Sequence, residues 1–117
     1  MSNAIVRFGA NPPAVEAGKP DNPISGAPVT RLQNYFTDQT GQFFSGIWES
    51  SVGKWPVSYS ESEFCAILEG KCVLTDAAGK AETFSKGDSF VIPSGFAGTW
   101  ETVEPVRKLY AIFEAKS

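Results

Sequence analysis

The chain of 117 residues contains no histidine, so its chemistry rests on carboxylates, phenols, indoles, lysines and two thiols. Without imidazole a histidine-ligated transition-metal centre cannot form. Carboxylate and phenol oxygens suit Mg²⁺, Mn²⁺ or Ca²⁺ and hold them weakly unless several donors converge. The densest group of candidates is Tyr59, Glu61 and Glu63. Alternate residues of a strand share a face, so Tyr59, Glu61, Glu63, Cys65 and Ile67 would lie on one side unless a bulge intervenes. Further along, Lys108 and Tyr110 share a face, with Leu109, Ala111 and Phe113 on the other; either face could be the interior one. A lysine buried against a carboxylate would shift the titration of both and could serve acid–base chemistry. No nucleophile motif and no phosphate-binding loop is present.

Each candidate also has a plain structural reading. Glu61 and Glu63 could be solvated charges at a strand's start. Tyr59 could be a rim aromatic. Trp48, Trp55 and Trp100 could be core, and Lys108 beside Arg107 could shield a strand edge.

A formal net charge of -3, from ten basic and thirteen acidic residues, is too mild and too mixed for a nucleic-acid binder. No apolar run is long enough to span a bilayer. The N-terminus lacks the charged-then-apolar pattern of a secretory signal, so a cytoplasmic location is expected. A hydrophobic fraction of 42% with nine Phe, three Trp and three Tyr fits one packed domain. Cys65 and Cys72 flank a glycine corner within an apolar run and are expected to be buried and reduced, because free cysteine packs as a small hydrophobe.

Residues 1–30 form a distinct arm. They hold Pro12, Pro13, Pro20, Pro23 and Pro28 with Gly9, Gly18 and Gly26 between them. Proline fixes φ and removes a donor, so the arm is neither helix nor central strand. It is expected to run extended over the domain or over a partner subunit. Residues 31–117 follow as a single domain. Strands are expected at 41–49, 63–70, 71–76, 81–84, 89–92, 98–103 and 107–113, with a hairpin turn at Asp76–Lys80. A short helical turn is compatible with 31–37. Short strands at regular spacing, joined at Gly and Pro, point to an antiparallel sandwich or barrel.

These residues resemble the cupin superfamily. Gly87, Pro93 and Gly95 match the second cupin motif, with Gly98 and Thr102 where the family carries His and Asn. Glu63 and Gly70 match the end of the first motif. Tyr59 and Val57 stand at its histidine positions; Ser58 and Pro56 do so in the longer spacing. Glu63-x-Cys65-x-Ile67-Leu68-Glu69-Gly70-Lys71, the Lys86-Gly87-Asp88 corner, Trp100 and Glu104-Pro105-Val106-Arg107-Lys108-x-Tyr110 resemble the EutQ-like and ureidoglycine aminohydrolase-like subgroup. The match spans roughly residues 43–113.

The resemblance implies an all-β cupin (RmlC-like) fold, a double-stranded β-helix or jelly-roll barrel, with its site inside. It puts Glu63 at a ligand position, and Trp100 two residues past the vacant Gly98. Tyr59, Glu63 and Trp100 would then converge on one enclosed space. The ligand-binding candidates are Glu63, Tyr59, Glu61, Trp48, Trp100, Lys108 and Tyr110, with Trp48 and Trp100 as walls. No metal ligand and no cofactor is expected. The expected partner is a small polar, nitrogen-containing metabolite. Two alternatives stand beside it: a divalent-metal aminohydrolase-like enzyme, and a structural or assembly role in which the interior would be filled. A homodimer is expected in each case, without nucleic acid or membrane.

Overall fold

Two long strands organise the chain. In the computed structural model, which describes residues 3–116, eight strands and no helix are present among the described residues. They are β1 (Glu16–Gly18), β2 (Thr30–Thr37), β3 (Phe43–Ser50), β4 (Gly53–Ser58), β5 (Ser62–Asp76), β6 (Ala81–Ser85), β7 (Ser89–Ile92) and β8 (Ala97–Phe113). β5 and β8 pair antiparallel from Ser62↔Phe113 to Asp76↔Gly98. Along its other edge β8 meets β4 with its first half and β3 with its second. Likewise β5 meets β7 with its first half and β6 with its second. β2 and then β1 extend the sheet beyond β3. All pairings are antiparallel, as the sequence pattern implies.

The sheet bends where β5 passes Gly70. Buried positions on β5 are Glu63, Cys65 and Ile67 before this point and Cys72 and Leu74 after it. The parity changes because the register slips between Ile67 and Cys72, and a bulge does this. Gly70 sits at φ +89°, and a Cβ there would run into the Pro105 carbonyl of β8. Only glycine serves both requirements. The chain therefore folds its sheet over a core of Trp55, Cys65, Ile67, Cys72, Leu74, Ile92, Trp100 and Val106.

Several boundaries differ from the sequence reading. Residues 31–37 are not a helical turn; they form most of β2 and supply six of its seven register pairs to β3. Residues 98–103 and 107–113 belong to one 17-residue strand that runs through Pro105. Strand β4 was unexpected because Pro56 interrupts it. Its partner strand is β8, and its other edge is bridged to the arm only at Lys54↔Ser25, so the missing donor of Pro56 on that edge leaves no ladder bond unmade. The arm lies extended on its own domain. β1 adds to the sheet edge, Phe8 stacks on Tyr35 at 4.7 Å, and Gln33 Nε2 donates to the Pro13 carbonyl. Farther on, the Ile24 amide donates to Lys54 O and Pro28 packs on Gly53.

Candidate functional site

The inward face of the bent sheet carries a charged pair. Glu63 on β5 and Lys108 on β8 are 7% and 3% exposed. Lys108 Nζ donates to Glu63 Oε2 at 2.9 Å. It also donates to Cys65 Sγ at 3.4 Å, and the Cys65 thiol donates to the same Glu63 oxygen at 3.4 Å. The ammonium lies 4.6 Å from the centre of each of two indoles, Trp48 and Trp100. Both ring faces attract it, which offsets part of its desolvation. Strand alternation settles the face of β8 that the sequence left open: Val106, Lys108 and Tyr110 are buried.

Three indoles hold this arrangement. Trp48 meets Trp100 edge-on at 5.3 Å, and Trp55 packs on both. Trp100 Nε1 donates to Thr102 Oγ1, and Thr102 donates to Ser50 Oγ, which in turn donates to the Ser51 carbonyl. The buried polar groups next to the pair are thus satisfied.

Titration follows from burial and charge. Burial alone would lower the Lys108 pKa, but the Glu63 carboxylate, with Cys65 and Tyr59, more than offsets it, and the net shift is upward. Burial pushes the Cys65 thiol up to about 12, with the Lys108 charge opposing. Tyr59 is raised by burial, and Tyr110 is raised to about 12 by burial and then by the Glu63 charge. At neutral pH Lys108 is an ammonium and Cys65 a thiol. Neither is a ready nucleophile or general base.

A cavity of about 440 Å³ opens beside the pair. Its apolar walls are Leu32, Phe44, Trp48 and Ile112; its polar lining is Glu16, Asn34, Thr37, Glu63, Lys108 and Tyr110. Tyr110 Oη donates to Asn34 Oδ1 at 2.8 Å, and Asn34 Nδ2 donates to Thr37 Oγ1 at 2.8 Å. Glu63 Oε1 has no partner among the described residues.

Of the candidates named from sequence, Glu63, Lys108, Tyr110 and Trp48 meet at this cavity. Tyr59 does not. It lines a second cavity with Trp48, Trp55, Val57 and arm residues Gly18–Asn22, so Trp48 borders both. Trp100 is 1% exposed and packed in the core behind Lys108, not a wall. Glu61 is half-buried and lines neither cavity. The expected convergence of Tyr59, Glu63 and Trp100 on one hollow is therefore corrected: Glu63 lines the first cavity, Tyr59 the second, and Trp100 is packed in the core. Glu16, Leu32, Asn34, Thr37, Phe44 and Ile112 were not foreseen. Ile112 follows Lys108 and Tyr110 by alternation, whereas the others depend on how β1, β2 and β3 pair.

The donor set does not fit a metal ion. Among the described residues no three of His, Cys, Asp and Glu come together as a potential metal site. Glu63 already carries an ammonium on one oxygen. Gly98 pairs with Val57, and a Cβ at position 98 would run into the Thr75 carbonyl, so no ligating side chain can stand there.

Residues 37–110 match the family model of the EutQ-like cupin domain. Solved structures agree. A DUF861 family protein from Thermotoga maritima is 42% identical, over 55% of this chain and 73% of that one, with a TM-score of 0.54. A DUF861 family protein of unknown function from Pseudomonas syringae pv. tomato is 26% identical, over 94% of this chain and 45% of that one, with a TM-score of 0.73. The EutQ protein of Clostridium difficile shares the fold at 18% identity and a TM-score of 0.68, over 77% of this chain and 71% of that one. No curated protein matches the chain.

Proposed function

Because this chain belongs to the EutQ-like cupin domain family, whose fold by itself specifies no chemistry, we propose a function from its site: it binds a small, polar, nitrogen-containing metabolite in the cavity beside Glu63, without a histidine-held metal. The supporting observation is the buried Glu63 carboxylate, one oxygen on Lys108 and the other without a partner, in a cavity of apolar walls. Lys108 spends two of its three hydrogens on Glu63 and Cys65, and its charge faces two indoles. The Tyr110 proton goes to Asn34. The unspent capacity around Glu63 is then mostly that of acceptors, Glu63 Oε1 and Tyr110 Oη. A ligand rich in N–H donors, such as a ureide, amide or amine, complements it. An apolar segment would lie on Leu32, Phe44 and Trp48.

A metal-dependent aminohydrolase reading lacks a donor set here. A purely structural role would be favoured by a filled interior, and the cavity speaks for a ligand instead. Thermal-shift screening and calorimetry with n-butylurea, n-butylguanidinium and small carboxylates test the proposal. Saturation at a hundredfold over Kd adds about 2.7 kcal/mol of stability. Binding of the N–H donors, weakened by Glu63→Gln, is expected. Failure of every donor to bind, or affinities that Glu63→Gln leaves unchanged, would overturn it.

A further inference from the structure

Three charged groups line the cavity, and only two of them neutralise each other. Lys108 and Glu63 form the buried pair. The third is Glu16, which the arm brings to the rim through β1, where it pairs in register with Leu32 of β2. Beyond its backbone pairing in β1, the Glu16 carboxylate makes no ion pair or hydrogen bond among the described residues. Its charge still reaches the cavity lining, since it contributes to the raised Tyr110 value. Leaving the pair aside, the cavity carries one uncompensated negative charge, at its mouth.

We propose that Glu16 is a specificity residue, selecting a ligand whose outer end is cationic: a protonated amine, amidinium or guanidinium. This rests on the reading of the cavity as a site for N–H donors and narrows it. Glu63 cannot select charge well, because Lys108 already occupies one of its oxygens; it recognises a donor hydrogen. Glu16 supplies the net field that Glu63 lacks. The arm is thereby part of the site, because the chain from residue 31 onward holds the cavity walls but not this carboxylate.

The test compares n-butylguanidinium with n-butylurea, which match in size and differ in charge and in an NH₂ group where the urea has its carbonyl oxygen; the Glu16 variants and added salt isolate the charge. Calorimetric titration uses the full chain, its Glu16→Gln variant and its Glu16→Lys variant. An exposed pairing of this kind gives about a two- to fivefold preference for the cation. That preference should fall with added salt. It should fall in Glu16→Gln and further in Glu16→Lys, with n-butylurea affinity changing less than that of n-butylguanidinium. Equal binding of the two probes by the native chain, or a preference that Glu16→Gln leaves undiminished, would overturn the role of Glu16 while leaving the binding reading intact. If neither probe binds, both readings fail.

Discussion

Removing Lys108 should destabilise the protein more than removing its partner's charge, and a second substitution should undo part of the damage. In Lys108→Met the Glu63 carboxylate stays buried with only the Cys65 thiol to satisfy it. Breaking a buried pair in this way costs about 3–5 kcal/mol. With an unfolding entropy of about 2.1 cal/mol/K per residue, the 117 residues give about 0.25 kcal/mol/K. The melting temperature should then fall by about 12–20 °C. Glu63→Gln is milder. The amide oxygen still accepts from Lys108, and the indoles at 4.6 Å still face the ammonium. The change from a charged to a neutral acceptor costs about 1–3 kcal/mol. Glu63→Gln/Lys108→Met contains no buried charge at this point. It should therefore be more stable than Lys108→Met alone, which reverses the usual sign of adding a second core substitution. Urea unfolding of the four proteins at neutral pH measures the cycle. A double variant less stable than Lys108→Met, or a Lys108→Met protein as stable as the native one, would refute the electrostatic account of this core.

Alkaline pH should weaken the fold. Cys65, Cys72, Tyr59, Tyr110 and Lys108 all hold their protons more tightly folded than unfolded. Their contribution is complete below the ordinary thiol value of 9.0 and is lost as pH rises above it, so urea midpoints should fall steadily from about pH 9 to 11; a flat or rising profile there would contradict it. Gly98→Ala should cost about 1–3 kcal/mol by forcing a methyl group against the Thr75 carbonyl, and Gly98→His more, with no gain in Mn²⁺ binding by calorimetry. A second copy of the chain is expected over the outer face where Phe43 and Phe113 are cross-strand neighbours and Phe64 pairs with Val91, all four exposed. Sedimentation should give a dimer that Phe64→Asp dissociates; a native monomer at high concentration would exclude it.

The architecture was legible because its signals are local. Alternation marks β5 and β8, the Asp76–Lys80 turn closes its hairpin with the Gly79 amide on the Asp76 carbonyl, and glycines stand where the backbone turns. What escaped depends on partners. Pro56 argues against a strand until one knows that β4 pairs with β8 along one edge and is bridged on the other only at Lys54. Thr30–Thr37 has no clean alternation because the register slips between Asn34 and Phe36, and β2 is recognisable only once paired with β3.

The site was legible in the same measure. Glu63 and Lys108 could each be named, but their meeting depends on the register Glu63↔Ile112 and Ile67↔Lys108, across a sheet whose slip at Gly70 no spacing announces. Tyr59 and Glu63 share a strand face by arithmetic, yet β4 ends at Ser58 and the chain turns before β5 begins at Ser62. Alternation does not carry through that turn, and Tyr59 lines the second cavity instead. Absence of histidine says which ions the interior does not favour, but not what replaces them. Here the chain supplies its own cation, between two indoles and against the one carboxylate that is buried among the described residues. Glu63 is thereby turned from a counter-charge into an acceptor, and any selection for charge must come from elsewhere on the cavity rim, where the arm brings Glu16.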